Sequence, residues 1–249
     1  MKYLITLICL AIATIGWGQD QDNFDKATTL YQKGDYTQAA AVYSSILKSG
    51  KESSALYYNL GNTYYKLNNV PESIYYYEKA LQLDPENADA KNNLIFANQM
   101  KVDAITPLPK TWVRQLSDGI VGLFSAHTWA VLSIIGVFAF VLSFLLYYFV
   151  ERTALKRTFF SLMLVFLFFA IGSYTLAHFC HKQVSQTQYA ILFDKTVRVF
   201  SDANAYSSEV MQLHEGTKVE IIEDAKDWVK IRLVNGKIGW TKVGSLRKL

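Results

Sequence analysis

The sequence has little charge, few cysteines and no recognisable catalytic motif. Charged residues make up 18% of the 249 residues, the net charge is +4, and no stretch forms a dense basic stripe, which argues against a nucleic-acid partner. The two cysteines, Cys9 and Cys180, are too few for a disulfide framework. No phosphate-binding loop, nucleophile elbow or Ser/His/Asp set stands out. The sequence therefore predicts a protein that is not an enzyme, needs no cofactor and binds no nucleic acid.

Apolar residues are abundant, at 51%, and they are concentrated in runs rather than spread evenly. The first run follows Lys2 and ends at the small residues Gly16 and Gly18. A single positive charge, a short apolar segment and small residues are typical of a secretory signal peptide. The sequence predicts a signal peptide over residues 1–18 that is cleaved after Gly18. An uncleaved anchor helix is the alternative.

Two further runs are long enough to cross a membrane. Residues 129–150 and 158–180 contain no charged side chain, and about 20 helical residues cross a hydrocarbon core of about 30 Å. The loop between them, residues 151–157, contains two arginines and a lysine, and such loops stay in the cytoplasm. The signal peptide and this loop independently predict a two-pass protein of the bacterial inner (cytoplasmic) membrane, with both soluble domains in the periplasm.

Residues 20–100 contain a repeat with a period of 34 residues. Tyr43 aligns with Tyr77, and each unit contains two apolar-periodic helices around a short turn. The segment resembles the tetratricopeptide repeat family, whose signature matches at Leu60, Gly61, Tyr64, Tyr77, Ala80 and Pro85. This resemblance implies two repeats followed by a capping helix. One helical hairpin cannot bury its own apolar face, so such a short array is expected to need support from the membrane or a partner.

The resemblance also implies a concave groove that binds a partner peptide. Asn62 and Asn93 match the asparagine pair of the family's carboxylate clamp, but Tyr58 replaces its lysine. An internal peptide segment is therefore predicted rather than a C-terminal carboxylate, and an aromatic stripe covered by another helix is the alternative. Tyr75 and Tyr76 are expected on the outer face, where they would contribute little. The predicted groove residues are Phe24, Thr28, Tyr31, Tyr58, Asn62, Tyr65 and Asn93.

Residues 101–128 predict a linker followed by an amphipathic helix. Pro107 and Pro109 cannot continue a helix. The segment after them places apolar residues on one helical face directly before the first membrane span, which favours a helix lying in the membrane interface. A helix packed on the repeat domain is the alternative. The apolar residues are Trp112, Val113, Leu116, Ile120, Leu123 and Phe124.

After the second span the apolar pattern changes to a period of two. The Asn235–Gly236 pair predicts a tight β-hairpin, and the segment contains five or six short β-rich runs. Residues 186–249 resemble the bacterial SH3 domain. Core packing is favoured for Trp228 and Trp240, because the family uses aromatic residues as structure in these runs, and a candidate ligand surface of the SH3-like domain is the alternative.

One group of metal-ligating residue types is predicted at the outer membrane surface. His178, Cys180 and His181 end the second span, and His127 precedes the first. Imidazole and thiolate suit zinc or copper, but histidines at a membrane interface also place a polar tip in water. No metal site is predicted.

The predicted fold class is a multidomain membrane protein with α-helical tetratricopeptide hairpins, two transmembrane helices and a small all-β SH3-like barrel. This order resembles the BatE type of Bacteroides aerotolerance proteins. The resemblance implies inner-membrane partners, namely von Willebrand A-domain Bat proteins and a MoxR-type ATPase. The predicted function is a membrane-anchored, non-catalytic scaffold for protein–protein interactions, with binding of peptidoglycan through the SH3-like domain as the alternative.

Overall fold

The computed structural model describes residues 21–109 and 111–249, without the side chains of residues 113–114, 117–118 and 183–186. The predicted signal peptide lies outside the described residues. The chain forms two compact units. The first unit, here the soluble unit, combines residues 21–107 with Gln188–Leu249, and the second, here the hairpin unit, comprises Leu108–Thr187.

The soluble unit begins with five helices, which form two helical hairpins followed by one further helix. Each of the last four starts after a polar residue whose side chain accepts a hydrogen bond from the backbone of the first turn: Asp35, Ser53, Asn69 and Asn87. Such caps fix where each helix begins, so the turns between the helices stay short. The helices are residues 21–32 (α1), Tyr36–Lys48 (α2), Ser54–Lys66 (α3), Val70–Leu83 (α4) and Ala88–Gln99 (α5).

Close packing of α3 on α4 depends on a residue without a side chain. A Cβ atom at Gly61 would lie 2.6 Å from Cδ1 of the Tyr77 ring. Tyr77 is fully buried in a cluster with Ile74 of the same helix and Ala97 of α5. Glycine at position 61 therefore lets the largest core side chain of the second repeat lie flat against the neighbouring helix.

The rest of the soluble unit is an antiparallel sheet of seven strands, where five or six were predicted from the sequence. Its strand order is β3-β2-β6-β5-β4-β1-β7. The predicted Asn235–Gly236 hairpin joins β5 to β6, with Gly236 at a φ of 81°. The strands are Gln188–Leu192 (β1), Thr196–Phe200 (β2), Glu209–His214 (β3), Lys218–Ala225 (β4), Trp228–Arg232 (β5), Ile238–Lys242 (β6) and Leu246–Lys248 (β7).

The sheet packs against the end of the helical array. Ile191 of β1 is fully buried in the same cluster as Ile74, Tyr77 and Ala97. Helix α5 would be the first helix of a third repeat, and β1 covers apolar surface that a following helix would otherwise cover. The support that a short array needs therefore comes from the SH3-like sheet of the same chain.

One arginine joins the two parts of this interface. Arg247 of β7 donates two hydrogen bonds of 2.8 Å to the Glu72 carboxylate of α4. Its Cζ lies 4.0 Å from the Phe193 ring centroid and 4.7 Å from that of Tyr75. Burial alone would lower the pKa of Arg247, but the hydrogen bonds and charge of Glu72 raise it on balance. The two parallel hydrogen bonds and the two aromatic rings therefore fix the orientation of the Arg247 side chain as well as its distance from Glu72.

The segment after α5 is attached to the sheet by a second polar contact. The Asp103 carboxylate accepts hydrogen bonds from the His214 backbone N–H at 2.6 Å and from the Thr217 hydroxyl at 2.7 Å, and it lies 2.8 Å from His214 Nδ1. Burial raises the pKa of Asp103, but these hydrogen bonds outweigh burial and lower it overall. Lys218 of β4 also pairs with Glu78 of α4 at 2.7 Å.

The hairpin unit contains three helices, and their bounds differ from the predicted spans. The turn between the two long helices is only Val150–Arg152, because Lys156 and Arg157 continue the second helix rather than forming a loop. Both long helices are long and apolar enough to cross a membrane. The helices are Trp112–Val121 (α6), Ala126–Phe149 (α7) and Thr153–Gln186 (α8).

Small residues bring α7 and α8 together. A Cβ at Gly136 would lie 3.1 Å from the Cβ of Ala170, and Ser133 Oγ donates to the Ala170 carbonyl at 3.0 Å. Ser143 and Ser173 are also buried. The large apolar side chains of both helices, such as Phe138 and Phe168, point outward and are more than 70% exposed. Small residues inside and large apolar residues outside are the pattern of helices packed in lipid.

Candidate functional site

Two asparagines from different helices meet at the concave side of the array. Asn62 Oδ1 of α3 accepts hydrogen bonds from the Tyr77 hydroxyl at 2.6 Å and from Asn93 Nδ2 of α5 at 2.8 Å. Asn93 Nδ2 also donates to the Tyr58 hydroxyl at 3.3 Å. Burial raises the pKa of Tyr77, so its hydroxyl keeps its proton and remains a donor. The two amides are therefore held in a fixed orientation.

This arrangement leaves one donor and one acceptor unused. Within the described part of the chain, neither the Asn62 Nδ2 amino group nor the Asn93 Oδ1 carbonyl has a hydrogen-bond partner. A backbone peptide group has one N–H and one C=O. The amide pair can therefore hydrogen-bond the backbone of an extended segment without reading its side chains.

Aromatic rings and one cation surround the amide pair. They enclose a cavity of about 190 Å³, here called the groove, lined by Tyr31, Asn62, Tyr65, Lys66, Tyr77, Asn93 and Phe96. Phe96 is 54% exposed although it is large and apolar. Rigid rings provide contact area at low entropic cost, so the groove fits an extended segment with apolar side chains.

Two groove residues, Lys66 and Phe96, were missed by the sequence reasoning. Their helical spacing could have revealed them, because Lys66 is four residues after Asn62 and Phe96 is three residues after Asn93. Lys66 adds a positive charge at the rim of the groove.

The other predicted groove residues have different places. Tyr58 lies under the amide pair and supports Asn93. Thr28 is occupied by hydrogen bonds to the Phe24 carbonyl and the Tyr43 hydroxyl, both at 2.9 Å. Phe24 packs against Tyr43 and lines a separate, larger cavity of about 450 Å³. That cavity contains no amide pair, so the smaller groove has the better chemistry for recognition.

The prediction that Tyr75 and Tyr76 contribute little is wrong. Tyr75 contacts Phe193 with ring centroids 6.0 Å apart. Tyr76 stacks on Tyr64 at 5.5 Å with an interplanar angle of 11°, and burial raises its pKa to about 12. Both tyrosines are partly buried because the outer face of α4 is covered by neighbouring rings and by the sheet.

The candidate surface of the SH3-like sheet is an aromatic patch on its outer face. Trp228 and Trp240 are partly exposed and are not among the residues of the hydrophobic core cluster of the sheet. Phe200 contacts Trp228 edge to face at 5.6 Å and is the cross-strand partner of Trp240. The ammonium group of Lys230 lies 5.5 Å from the Trp240 ring centroid. We call Phe200, Trp228, Trp240 and Lys230 the aromatic patch.

The histidines and the cysteine near the spans do not converge. Cys180 is buried against Trp129 and Ala177, with its Sγ 3.7 Å from the Val121 carbonyl. His127, His178 and His181 are exposed. No group of three or more His, Cys, Asp or Glu residues that could hold a metal ion occurs in the part of the chain that was described.

Comparison with protein families agrees with this architecture. Residues 24–88 match the family model described as tetratricopeptide repeat, and residues 195–246 match the model described as bacterial SH3 domain. Among curated proteins, no relative matches the chain. The fold class predicted from the sequence is confirmed: a tetratricopeptide repeat region, two apolar helices that could span a membrane, and a C-terminal antiparallel SH3-like sheet. Both matched modules typically mediate interactions, and neither indicates an enzyme.

Proposed function

We propose that the chain is a membrane-anchored, non-catalytic adaptor whose groove binds an extended peptide segment of a partner protein. The observation that carries the proposal is the Asn62–Asn93 pair, which among the described residues has one unused donor and one unused acceptor beside partly exposed aromatic rings. Tetratricopeptide repeats mediate protein–protein interactions. The type of repeat and the geometry of the amide pair therefore both favour a protein partner.

The proposed location is the periplasmic side of the bacterial inner membrane. Arg152 lies in the turn between the two apolar helices, and Lys156 and Arg157 lie near the start of the second helix. The positive-inside tendency favours a cytoplasmic position for that end of the hairpin. With that end in the cytoplasm, the start of the first span and the end of the second lie on the other side of the membrane. This agrees with the bacterial SH3 domain, which suggests an extracytoplasmic location.

The proposed partners are other inner-membrane proteins. The order of modules resembles BatE-type proteins, and this resemblance alone motivates a Bat-type assembly with von Willebrand A-domain proteins and a MoxR-type ATPase. The groove adds a chemical criterion, because a partner should present an extended segment that is apolar and has an acidic side chain for Lys66.

A photo-crosslinking amino acid at position 65 tests the groove. We expect it to crosslink one defined partner in native membranes, and we expect Phe96→Ala in the same chain to reduce the yield. Position 206 is the matched control, because Tyr206 is 97% exposed and lies on a loop of the sheet. Equal crosslinking from positions 65 and 206 would contradict the proposal.

A second candidate function, binding of peptidoglycan, is favoured by the aromatic patch. Three rings remain partly exposed on the outer face of the sheet beside Lys230, and bacterial SH3 domains are associated with cell-wall binding. The test is co-sedimentation of the full-length, detergent-solubilised protein with purified sacculi. The full chain is needed because Ile191 of the sheet is buried against the helices.

Wall binding through the patch predicts that Trp240→Ala abolishes co-sedimentation while Tyr206→Ala does not. Equal sedimentation of both variants would exclude the patch as the binding surface. The groove variant Phe96→Ala should sediment normally, which separates the two candidate functions in one experiment.

A further inference from the structure

Helix α6 and the turn after it carry an apolar stripe whose large side chains are all exposed by 43% or more. Trp112, Leu116 and Ile120 follow one another at intervals of four residues, so they lie along one side of the helix. Leu123 and Phe124 extend the stripe into the turn before α7. The exposed fractions run from 43% at Ile120 to 76% at Trp112. A contiguous stripe of five large apolar side chains indicates an interaction surface.

The end of α6 is fixed at the ends of the two long helices. The Val121 carbonyl accepts a hydrogen bond from the Trp129 indole N–H at 3.4 Å and lies 3.7 Å from the Cys180 thiol. Phe124 packs edge to face on Trp129, with ring centroids 5.1 Å apart. Trp129 lies in the first turn of α7 and Cys180 near the end of α8. The C-terminal end of α6 therefore lies at the depth where the proposed spans leave the hydrocarbon core.

We infer that the stripe docks on the lipid surface, with α6 lying in the membrane interface beside the hairpin. Ten residues make a helix about 15 Å long. If α6 pointed away from the membrane, that length would carry Trp112 beyond the headgroups and expose the stripe to water. If it lies in the interface, the same side chains enter the headgroup–acyl boundary, which favours an apolar face of this kind.

Lipid is the occupant that the structure favours, because the stripe continues the apolar surface of the hairpin. The outward side chains of α7 and α8 are large, apolar and exposed in the same way. This inference rests on the proposed membrane anchoring, since α6 reaches lipid only if α7 and α8 span it. A second copy of the chain or another protein on the stripe would be a different result of the test.

The test measures the depth of nitroxide labels in vesicles of phosphatidylethanolamine and phosphatidylglycerol. Single cysteines replace Leu116, Gln115 and Val141 in a full-length background with Cys9→Ser and Cys180→Ser, which keeps a donor for the Val121 carbonyl. Collision with dissolved oxygen reports lipid, and collision with a water-soluble nickel chelate reports water. Val141 is an exposed apolar residue of α7 and calibrates the membrane span.

We expect the ratio of oxygen to nickel collisions at position 116 to be severalfold higher than at position 115 and lower than at position 141. A low ratio at 116 with a high ratio at 141 would overturn the inference and leave the anchoring intact. Low ratios at both positions would overturn the anchoring itself. Protection of position 116 from both reagents would show that a protein surface, rather than lipid, covers the stripe.

Discussion

The two repeats have the same internal plan and differ in the side chain that bonds the buried tyrosine of each. In the first, Thr28 bonds the Tyr43 hydroxyl at 2.9 Å, and in the second, Asn62 bonds the Tyr77 hydroxyl at 2.6 Å, 34 residues later. Threonine has a single hydroxyl, which is also bonded to its own helix. Asparagine keeps a free amino group for a ligand. The same position is therefore structural in the first repeat and suited to recognition in the second.

The outer faces of the repeats differ in the same way. On α4, Glu72, Tyr75 and Glu78 contact the sheet. The residues 34 positions earlier on α2 are Gln38, Ala41 and Ser44, which are smaller or uncharged. The second repeat thus supplies Asn62 and Tyr65 to the groove and also makes these contacts with the sheet. The two repeats therefore share their buried tyrosine and differ in the side chains that face the groove and the sheet.

The largest expected effect comes from removing the core tyrosines that the repeats share. Tyr77→Ala and Tyr43→Ala should each lower the free energy of unfolding by about 3–5 kcal/mol, because each removes a fully buried ring. The measurement is urea unfolding of the full-length protein in detergent, followed by circular dichroism.

Phenylalanine variants of the same two tyrosines separate the effect of the hydroxyl group from the effect of the ring. Tyr77→Phe keeps the ring and removes one hydrogen bond, so it should cost about 1 kcal/mol and also loosen the amide pair. Tyr43→Phe should cost a similar amount and leave partner crosslinking unchanged. Loss of crosslinking in both variants would show that the repeats are not divided in function.

Gly61→Ala should cost less than the loss of a ring but more than the reverse change in the first repeat. The new methyl group would meet the Tyr77 ring at 2.6 Å, and overpacking of this kind costs about 1–3 kcal/mol. Ala27→Gly, at the equivalent position, should cost about 1 kcal/mol through helix propensity. Equal unfolding midpoints for the two variants would contradict the close packing.

Arg247→Ala breaks the contact that only the second repeat makes. We expect a loss of about 1–2 kcal/mol, at the low end for charge-assisted hydrogen bonds, because the arginine side chain is 42% exposed. The sheet should also become separately sensitive to limited proteolysis. Arg232→Ala is the matched control, since Arg232 has the same exposure but pairs with Glu220 inside the sheet. Equal proteolysis of both variants would mean that Arg247 does not couple the two parts.

The smallest expected effect is a dependence of stability on pH through Asp103. Its pKa is lowered in the folded protein, so the carboxylate stabilises the fold above the unfolded value of about 3.9. That contribution is lost as pH falls through the lower folded pKa. The difference in urea midpoint between wild type and Asp103→Asn should therefore be largest near neutral pH and shrink below about pH 4. A difference that stays constant down to pH 3 would contradict the role of the Asp103 charge.

The elements of the fold could be read from the sequence because local physical chemistry specifies them. The cap residues and the Asn235–Gly236 turn fix the backbone within a few residues of their own positions. The 34-residue period repeats the same helical pattern along the chain. The ends of the long helices were less predictable. Lys156 and Arg157 look like loop residues by charge, but both are good helix formers, and α8 therefore begins before them.

Part of the groove could be predicted in the same way. Tyr65 lies three residues after Asn62 on α3, and Tyr31 is the equivalent of Tyr65 one repeat earlier. Phe96 lies three residues after Asn93 on the truncated unit, so its spacing could have indicated that it shares a helix face with Asn93, and the packing of α5 beside α3 places it at the groove. Tyr75 lies on the outer face of its own repeat, and the residue that contacts it there, Phe193, comes from a distant part of the chain. The sequence of the repeat therefore gives no sign of this contact.

The kinds of module, their order and the apolar segments are readable along the chain, since each depends on periodicity and composition over a continuous stretch. What covers α4 becomes visible in the folded protein. The Arg247–Glu72 pair joins residues that are 175 positions apart, and no local pattern connects them. Contacts across such distances depend on how two finished surfaces match in shape and charge, which a one-dimensional pattern does not contain.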